Sequence, residues 1–306
     1  MSTKKISILV ITYNRPDDTL ALLQNLQSLS YTQTLLAEIV LVNNHSTADY
    51  TSVENWLQTT QLPVKYIQAK ENLGVTNGRN LGMQYVTGHY TVFLDDDAEL
   101  EGTDALQKIT EGFEGAQLLG RSVALLSFKV LYYSTKQLQL SAFPHKNWRK
   151  FVGAKRFATY YFAGGAHAVQ TQLLKDIGGL PTQFFYGMEE YDISYRLIEK
   201  GYAIAYEAGV VMLHKESPLG RQPKAVQWQY MWLNKTTVAY TYLPWRYVVS
   251  TAACWSIQYL VKSGGNISGF FKGWKGIFQR LKGTQRKPMS KASLQYLKQC
   301  EARLWY

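Results

Sequence analysis

The run Tyr90-Thr91-Val92-Phe93-Leu94-Asp95-Asp96-Asp97 decides the fold: an apolar, β-branched and aromatic stretch stops abruptly at three consecutive carboxylates. So short a run of this composition reads as a strand buried on both faces. The same unit recurs upstream. Ile6-Ser7-Ile8-Leu9-Val10-Ile11-Thr12-Tyr13-Asn14 ends in polar residues, and Pro16 and Asp17 then lead into apolar positions 20, 22, 23 and 26 at helical spacing. Glu38–Val42 stops at Asn43-Asn44-His45-Ser46 ahead of a helical stretch carrying Val53, Trp56 and Leu57. Val64–Ile67 precedes Asn72-Leu73-Gly74 and a helix over about residues 76–86. This alternation predicts an α/β fold on a mainly parallel, Rossmann-like sheet with helices on both faces. Ligands of such sheets sit beyond the carboxyl ends of the strands, where the clusters at 12–14, 43–46 and 95–97 all fall.

Downstream, Val123–Phe128 reads as a strand, followed by an irregular Tyr- and Lys-rich stretch and then Tyr160–Val169. A helix from about Thr171 to Ile177 breaks at Gly178-Gly179. Another opens at Glu189-Glu190-Tyr191-Asp192, carries Ile193, Leu197 and Ile198, and ends at Gly201. This half is expected to extend the sheet and shape a pocket for a second substrate. Three adjoining carboxylates repel one another, and a divalent cation is their natural counter-charge. Asp-X-Asp at a strand end suits Mg²⁺ or Mn²⁺ when a diphosphate supplies further oxygens. A competing reading places Asp97 and Glu99 in the first turn of a helix, where acids complement the dipole.

Seven short motifs in order carry a family likeness: Ser7–Arg15, Val42–Thr47, Asn72-Leu73-Gly74 with Gly78–Gly82, Leu94–Asp97, Gly164-Gly165, Ile177–Leu180 and Glu189–Arg196. Over roughly residues 5–215 the chain resembles the inverting family 2 glycosyltransferases of the GT-A fold, which use nucleotide-diphosphate sugars as donors. The resemblance implies that Thr12, Tyr13, Asn14 and Arg15 line the nucleotide pocket and that Asn43 faces the base, where the family usually has Asp. It implies that Gly74, Arg79 and Asn80 complete the pocket beside the diphosphate. In the acidic run it implies Asp95 at the ribose and also within reach of the metal, Asp96 between, and Asp97 on the Mn²⁺ or Mg²⁺. His214 would reach the metal or the diphosphate, with Lys215 as the alternative for the phosphates. Inversion needs a base for the acceptor hydroxyl; Glu190 is the candidate, with Glu189 and Asp192 as alternatives.

The charge is uneven. The chain carries a formal net charge of +11, yet beyond residue 215 the acids are only Glu216 and Glu301, so the excess positive charge lies in the last third. There Ile267, Phe270, Phe271, Trp274, Ile277, Phe278 and Leu281 repeat at helical spacing, with Lys272, Lys275, Arg280 and Lys282 off the stripe. This predicts an interfacial helix on anionic lipid, with a helix packed on the domain as the other reading. Residues 247–261 are too short an apolar run to span a bilayer.

The expected organisation is a GT-A domain over 1–220, with a nucleotide-sugar half to 120 and an acceptor half beyond, then a helical, basic, amphipathic segment over 221–306. Two cysteines, Cys254 and Cys300, are too few for a disulfide scaffold. The start at Met1 runs directly into a strand pattern with no apolar leader, so a cytoplasmic enzyme, peripheral on the membrane, is expected. The expected activity is sugar transfer to a hydroxyl of a glycan or lipid-linked glycan in cell-surface polysaccharide synthesis. A sugar nucleotidyltransferase would need a Gly-rich basic loop after the first strand, which Thr12–Pro16 does not offer. Nucleic-acid binding by the basic segment is the reading from a different class, and no nucleic-acid partner is expected.

Overall fold

The computed structural model describes residues 5–305; the leader-free start expected at residues 1–4 lies outside the described residues. The first half alternates as the pattern requires: β1 (Ile6–Thr12), α1 (Pro16–Gln27), α2 (Thr32–Leu35), β2 (Leu36–Asn43), α3 (Thr51–Thr59), β3 (Val64–Gln68), α4 (Gly74–Met83) and β4 (Tyr90–Asp95). β5 (Ala98–Leu100), α5 (Ala105–Phe113), β6 (Gln117–Leu118) and β7 (Arg121–Tyr132) follow. The next elements are α6 (Trp148–Phe151), β8 (Arg156–Thr159), β9 (Ala166–Gln170), α7 (Thr171–Asp176), α8 (Glu189–Glu199) and β10 (Ala203–His214). Four helices close the chain: α9 (Lys224–Tyr242), α10 (Trp245–Lys262), α11 (Ile267–Gly283) and α12 (Lys291–Gln299).

The main strand order is β3-β2-β1-β4-β9-β7-β10-β5, with β6 pairing β7 and β8 pairing β10. β1 runs parallel to both neighbours, and its register sets Thr12 beside Asn43 and Ile11 beside Asp95. Ser7, Ile8, Leu9 and Val10 are all buried, as expected for a strand covered on both faces. The chain just past Asp97 is strand and not helix, which overturns the reading of Asp97 and Glu99 as helix N-terminal acids. Ala98 and Leu100 are buried while Glu99 is half-buried, a period of two that suits antiparallel pairing of β5 with Met212–His214. That pairing brings Asp97 to the end of β10.

The closing helices share the core of the sheet. Met289, Tyr296, Leu297 and Cys300 belong to the same apolar cluster as β1 and β4, so packing crosses the boundary expected near residue 220. The Tyr296 hydroxyl accepts from the Ile204 amide and donates to the Thr159 carbonyl, tying α12 to β10 and β8. The aromatic stripe of α11 divides in two. Ile277 is buried with Trp232, Trp255 and Tyr259, and Phe270, Trp274 and Leu281 pack against them, whereas Ile267, Phe271 and Phe278 stay exposed.

Of the α11 glycines, which would each weaken an isolated helix by about 1 kcal/mol, Gly269 and Gly273 have a packing reason and Gly276 has none. A Cβ at Gly273 would collide with the Trp232 ring, while one at Gly276 would meet open space. Gly273→Ala is therefore expected to destabilise by about 1–2 kcal/mol, overpacking outweighing propensity. Gly276→Ala should stabilise by about 0.5–1 kcal/mol. Urea unfolding midpoints read both, and two gains would mean that α11 does not pack on Trp232.

Candidate active site

Two adjoining cavities open at the carboxyl ends of β1 and β4. The smaller, about 250 Å³, is lined by Thr12, Tyr13, Arg15, Asn44, Asn72, Gly74 and the three acids Asp95–Asp97, among others. The larger, about 570 Å³, contains Arg79, Gly164, Gly165, Glu189 and Glu190. Asp95, His214, Tyr186 and Val75 belong to both.

The acids are placed by strand ends and neutralised one by one. Arg15 Nη1 lies 2.7 Å from Asp96 Oδ1 and 3.3 Å from Asp97 Oδ2, and its guanidinium also donates to the carbonyls of Leu219 and Ser217. Burial drives the Asp96 carboxyl up to about 6 despite the opposing pull of Arg15. Arg79, only 3% exposed, is no solvent-facing helical arginine; it reaches Asp95 at 3.0 Å and Glu189 at 3.4 Å. Gly164-Gly165 makes room on the other side. A Cβ at Gly165 would strike the Asp95 carboxylate and one at Gly164 would strike Glu190.

One buried oxygen and one ring nitrogen face each other. Asp97 Oδ1 is buried without a hydrogen-bond partner and faces His214 Nε2 at 3.3 Å. Gln139 Oε1 accepts from His214 Nδ1 at 2.9 Å and is itself oriented by its amide's bond to Glu216. This leaves the Nε2 lone pair of the neutral ring aimed at Asp97. Burial lowers and the Asp97 carboxylate raises the His214 pKa, with a net upward shift, so a proton satisfies the pair when nothing else does. Asp95, Asp97 and His214 offer ligand atoms within 4.8 Å of one another, a hard-oxygen and imidazole set that fits Mn²⁺ or Mg²⁺.

At the start of α8 the three candidate bases separate. Both Asp192 oxygens are engaged, one by Arg196 and the other by the Tyr242 hydroxyl. Glu189 is 3% exposed and paired with Arg79. Glu190 faces the larger cavity with no ion pair among the described residues, and burial plus the neighbouring Glu189 push its pKa up to about 8.

Thr12, Tyr13, Arg15, Gly74 and Arg79 all border a cavity, whereas Asn14, Asn43 and Asn80 do not. Asn14 Oδ1 accepts from the amides of Thr47 and Ala48, Asn43 bonds Tyr66 and the Ser46 amide, and Asn80 clamps both backbone groups of Leu180. Asn44, one residue on, holds the cavity position, bonded to Asn72 and the Leu73 amide. Strand alternation points adjacent residues to opposite faces, so a one-residue difference moves the side chain across the sheet. Sequence reasoning also missed Gln139 and the wall that α9 and α10 contribute through Trp228, Met231, Lys235, Trp255 and Gln258. Gln139 had no motif around it; the helical residues were read as a surface element.

A mixed, mainly parallel sheet with an acidic, arginine-balanced crevice at its carboxyl edge and a glycine-shaped second pocket beside it is the arrangement of the GT-A fold. The model of the glycosyl transferase family 2 matches residues 7–177, and the chain belongs to that family of glycosyltransferases. A Haemophilus influenzae protein of uncharacterised function is 31% identical over 181 residues, covering 58% of this chain and 92% of its own. Among solved structures, a mannosyltransferase from Pyrobaculum calidifontis in complex with GDP-Man and Mn²⁺ aligns with TM-score 0.59 at 18% identity, over 98% of this chain and 84% of that one. S. aureus TarS residues 1–349 with UDP-GlcNAc aligns with TM-score 0.60 at 16% identity, over 91% and 83%. These two likenesses extend the shared fold beyond the matched family segment.

Removing the cation from the Asp95–Arg79–Glu189 triad, in which Arg79 and Glu189 are buried and Asp95 is 37% exposed, leaves two carboxylates unbalanced. Arg79→Met is expected to cost about 3 kcal/mol in urea unfolding. Adding Glu189→Gln should recover part of that loss; a double variant no more stable than Arg79→Met would assign the cost to packing alone.

Proposed function

We propose that the protein is a metal-assisted, inverting glycosyltransferase that moves a sugar from a nucleotide diphosphate to a hydroxyl of a glycan or lipid-linked glycan. The observation that carries the reading is the cluster of Asp95, Asp97 and His214, of which Asp95 and His214 border both cavities and Asp97 the smaller, with Glu190 lining the larger. Under this reading the smaller cavity takes the nucleotide, with Thr12, Tyr13, Arg15, Asn44 and Gly74 around it and Asp95 and Asp96 toward the ribose. Arg79 and Arg15 hold the acids in place. A divalent cation bound by Asp95, Asp97 and His214 would neutralise charge on the departing diphosphate.

Glu190 takes the proton from the acceptor hydroxyl as its oxygen attacks the anomeric carbon from the face opposite the diphosphate. The C1–oxygen bond to the diphosphate breaks as the new glycosidic bond forms, which inverts the centre. Glu190 is suited to this by its cavity-facing position and by an unoccupied carboxylate.

The second part of the proposal is attachment to anionic lipid at the cytoplasmic side of a membrane, in cell-surface polysaccharide synthesis. No helix among the described residues is long and apolar enough to cross a membrane. At 100° per residue Ile267, Phe271 and Phe278 fall on one exposed face of α11, flanked by Lys275 and Lys282. Both cysteines are unpaired, in keeping with a reducing compartment.

Asp97→Asn should remove Mn²⁺-dependent binding of nucleotide diphosphate in calorimetry, whereas Glu190→Gln should keep it and lower transfer by at least about a hundredfold. Retained transfer in Glu190→Gln moves the base elsewhere. Because the base must be ionised, kcat/KM is expected to rise with pH and level off above about 8, the position of Glu190 in the free enzyme. A profile already flat at pH 6 contradicts it. Phe271→Asp with Phe278→Asp should abolish sedimentation with anionic vesicles while leaving soluble activity intact; unchanged sedimentation assigns attachment to another surface.

A further inference from the structure

The wall of the larger cavity away from Asp95 carries positive charge. Lys235, from the middle of α9, is 7% exposed, lines this cavity and makes no hydrogen bond or ion pair among the described residues. Its ammonium instead sits 2.9 Å from the centroid of the Tyr191 ring. Tyr191 stacks on Tyr161 at 4.9 Å, and Lys146 lies 5.1 Å over the Tyr161 ring. One stacked tyrosine pair thus supports two ammoniums, and Arg303 lines the same cavity. Cation–π contact offsets only a fraction of the cost of burying an ammonium without a counter-ion. A methionine at this position would carry no such cost. Tyr191 follows Glu190 in the chain, so the cations belong to the same pocket as the candidate base.

We propose that this cavity binds an acceptor bearing a phosphate group, held by Lys235 and Lys146 with Arg303 beside them, close to the hydroxyl that Glu190 deprotonates. Two ammoniums and a guanidinium match the charge of a phosphate better than that of a single carboxylate. Burial holds both lysines below their ordinary pKa, with Arg303 adding to the effect at Lys146 and Lys146 adding to it at Lys235, while Glu190 pulls both the other way; an arriving anion relieves the repulsion among the three cations. The inference rests on the larger cavity being the acceptor side of a glycosyltransferase.

The test uses the full chain saturated with Mn²⁺ and UDP or GDP, which fills the donor side, and then titrated with glucose 6-phosphate and with glucose. Glucose 6-phosphate should bind at least about tenfold more tightly than glucose. Lys235→Met and Lys146→Met should each weaken it by about tenfold, with nucleotide affinity unchanged and Lys235→Met unfolding at no lower temperature than the parent. Vesicles of phosphatidylcholine with phosphatidic acid form the second arm. Binding of these vesicles that Lys235→Met abolishes, without binding of glucose 6-phosphate, assigns the phosphate to a lipid carrier; the converse assigns it to a glycan. Neither probe binding, or both variants binding as the parent does, overturns the inference. Lower thermal stability of Lys235→Met also counts against it, because the lysine is then structural. Absent nucleotide binding in the parent defeats the donor reading beneath it, a different failure.

Discussion

Charge balance at the end of a buried strand governs this molecule. β4 delivers Asp95, Asp96 and Asp97 to the carboxyl edge of the sheet, and α8 brings Glu189 and Glu190 to the same crevice. Five carboxyls so placed are tolerated only because cations from distant segments are fixed among them: Arg15 from the loop after β1, Arg79 from α4 and His214 from the end of β10. Each arginine answers particular oxygens, and one buried oxygen, Asp97 Oδ1, faces only His214 and has no hydrogen bond while that ring is neutral. The balance is incomplete in just the place where a divalent ion fits.

The same constraint explains the local backbone. Gly164 and Gly165 lie where any side chain would occupy the volume of Asp95 or Glu190, so the pair is a steric condition for bringing two acids to one boundary. Gly74 has φ 72° and sits against the Phe185 carbonyl, setting the start of α4 so that Arg79, one and a half turns later, reaches under β4. Met188, at φ 73°, turns the chain immediately before α8 and directs Glu189 toward Arg79 while Glu190 meets the cavity.

The alternation of strands and helices through residue 95 was legible because each buried strand ends at a polar cluster, and β1, β2 and β4 all appear where the apolar runs lie. The acids and Arg79 were legible by type and position. Asn43 against Asn44 was not, since a polar pair at a strand end gives no sign of which member faces the cavity. β5 was hidden because three residues after an acidic run carry too little periodicity to compete with the preference of acids for helix starts. α11 was read correctly as amphipathic, yet its two apolar faces could be separated only by knowing that Trp232 needs the groove left by Gly273.

The helices after residue 220 have two duties that composition alone sets in opposition. Their basic charge and aromatic content suggest a surface element, yet α9 and α10 wall the larger cavity with Trp228, Met231, Lys235, Trp255 and Gln258. α11 buries one face against α9 and leaves Ile267, Phe271 and Phe278 outside. The wall of the larger cavity and the exposed apolar face are therefore parts of one packed unit, coupled through Trp232, so a surface holding α11 would also fix the helices that line the pocket.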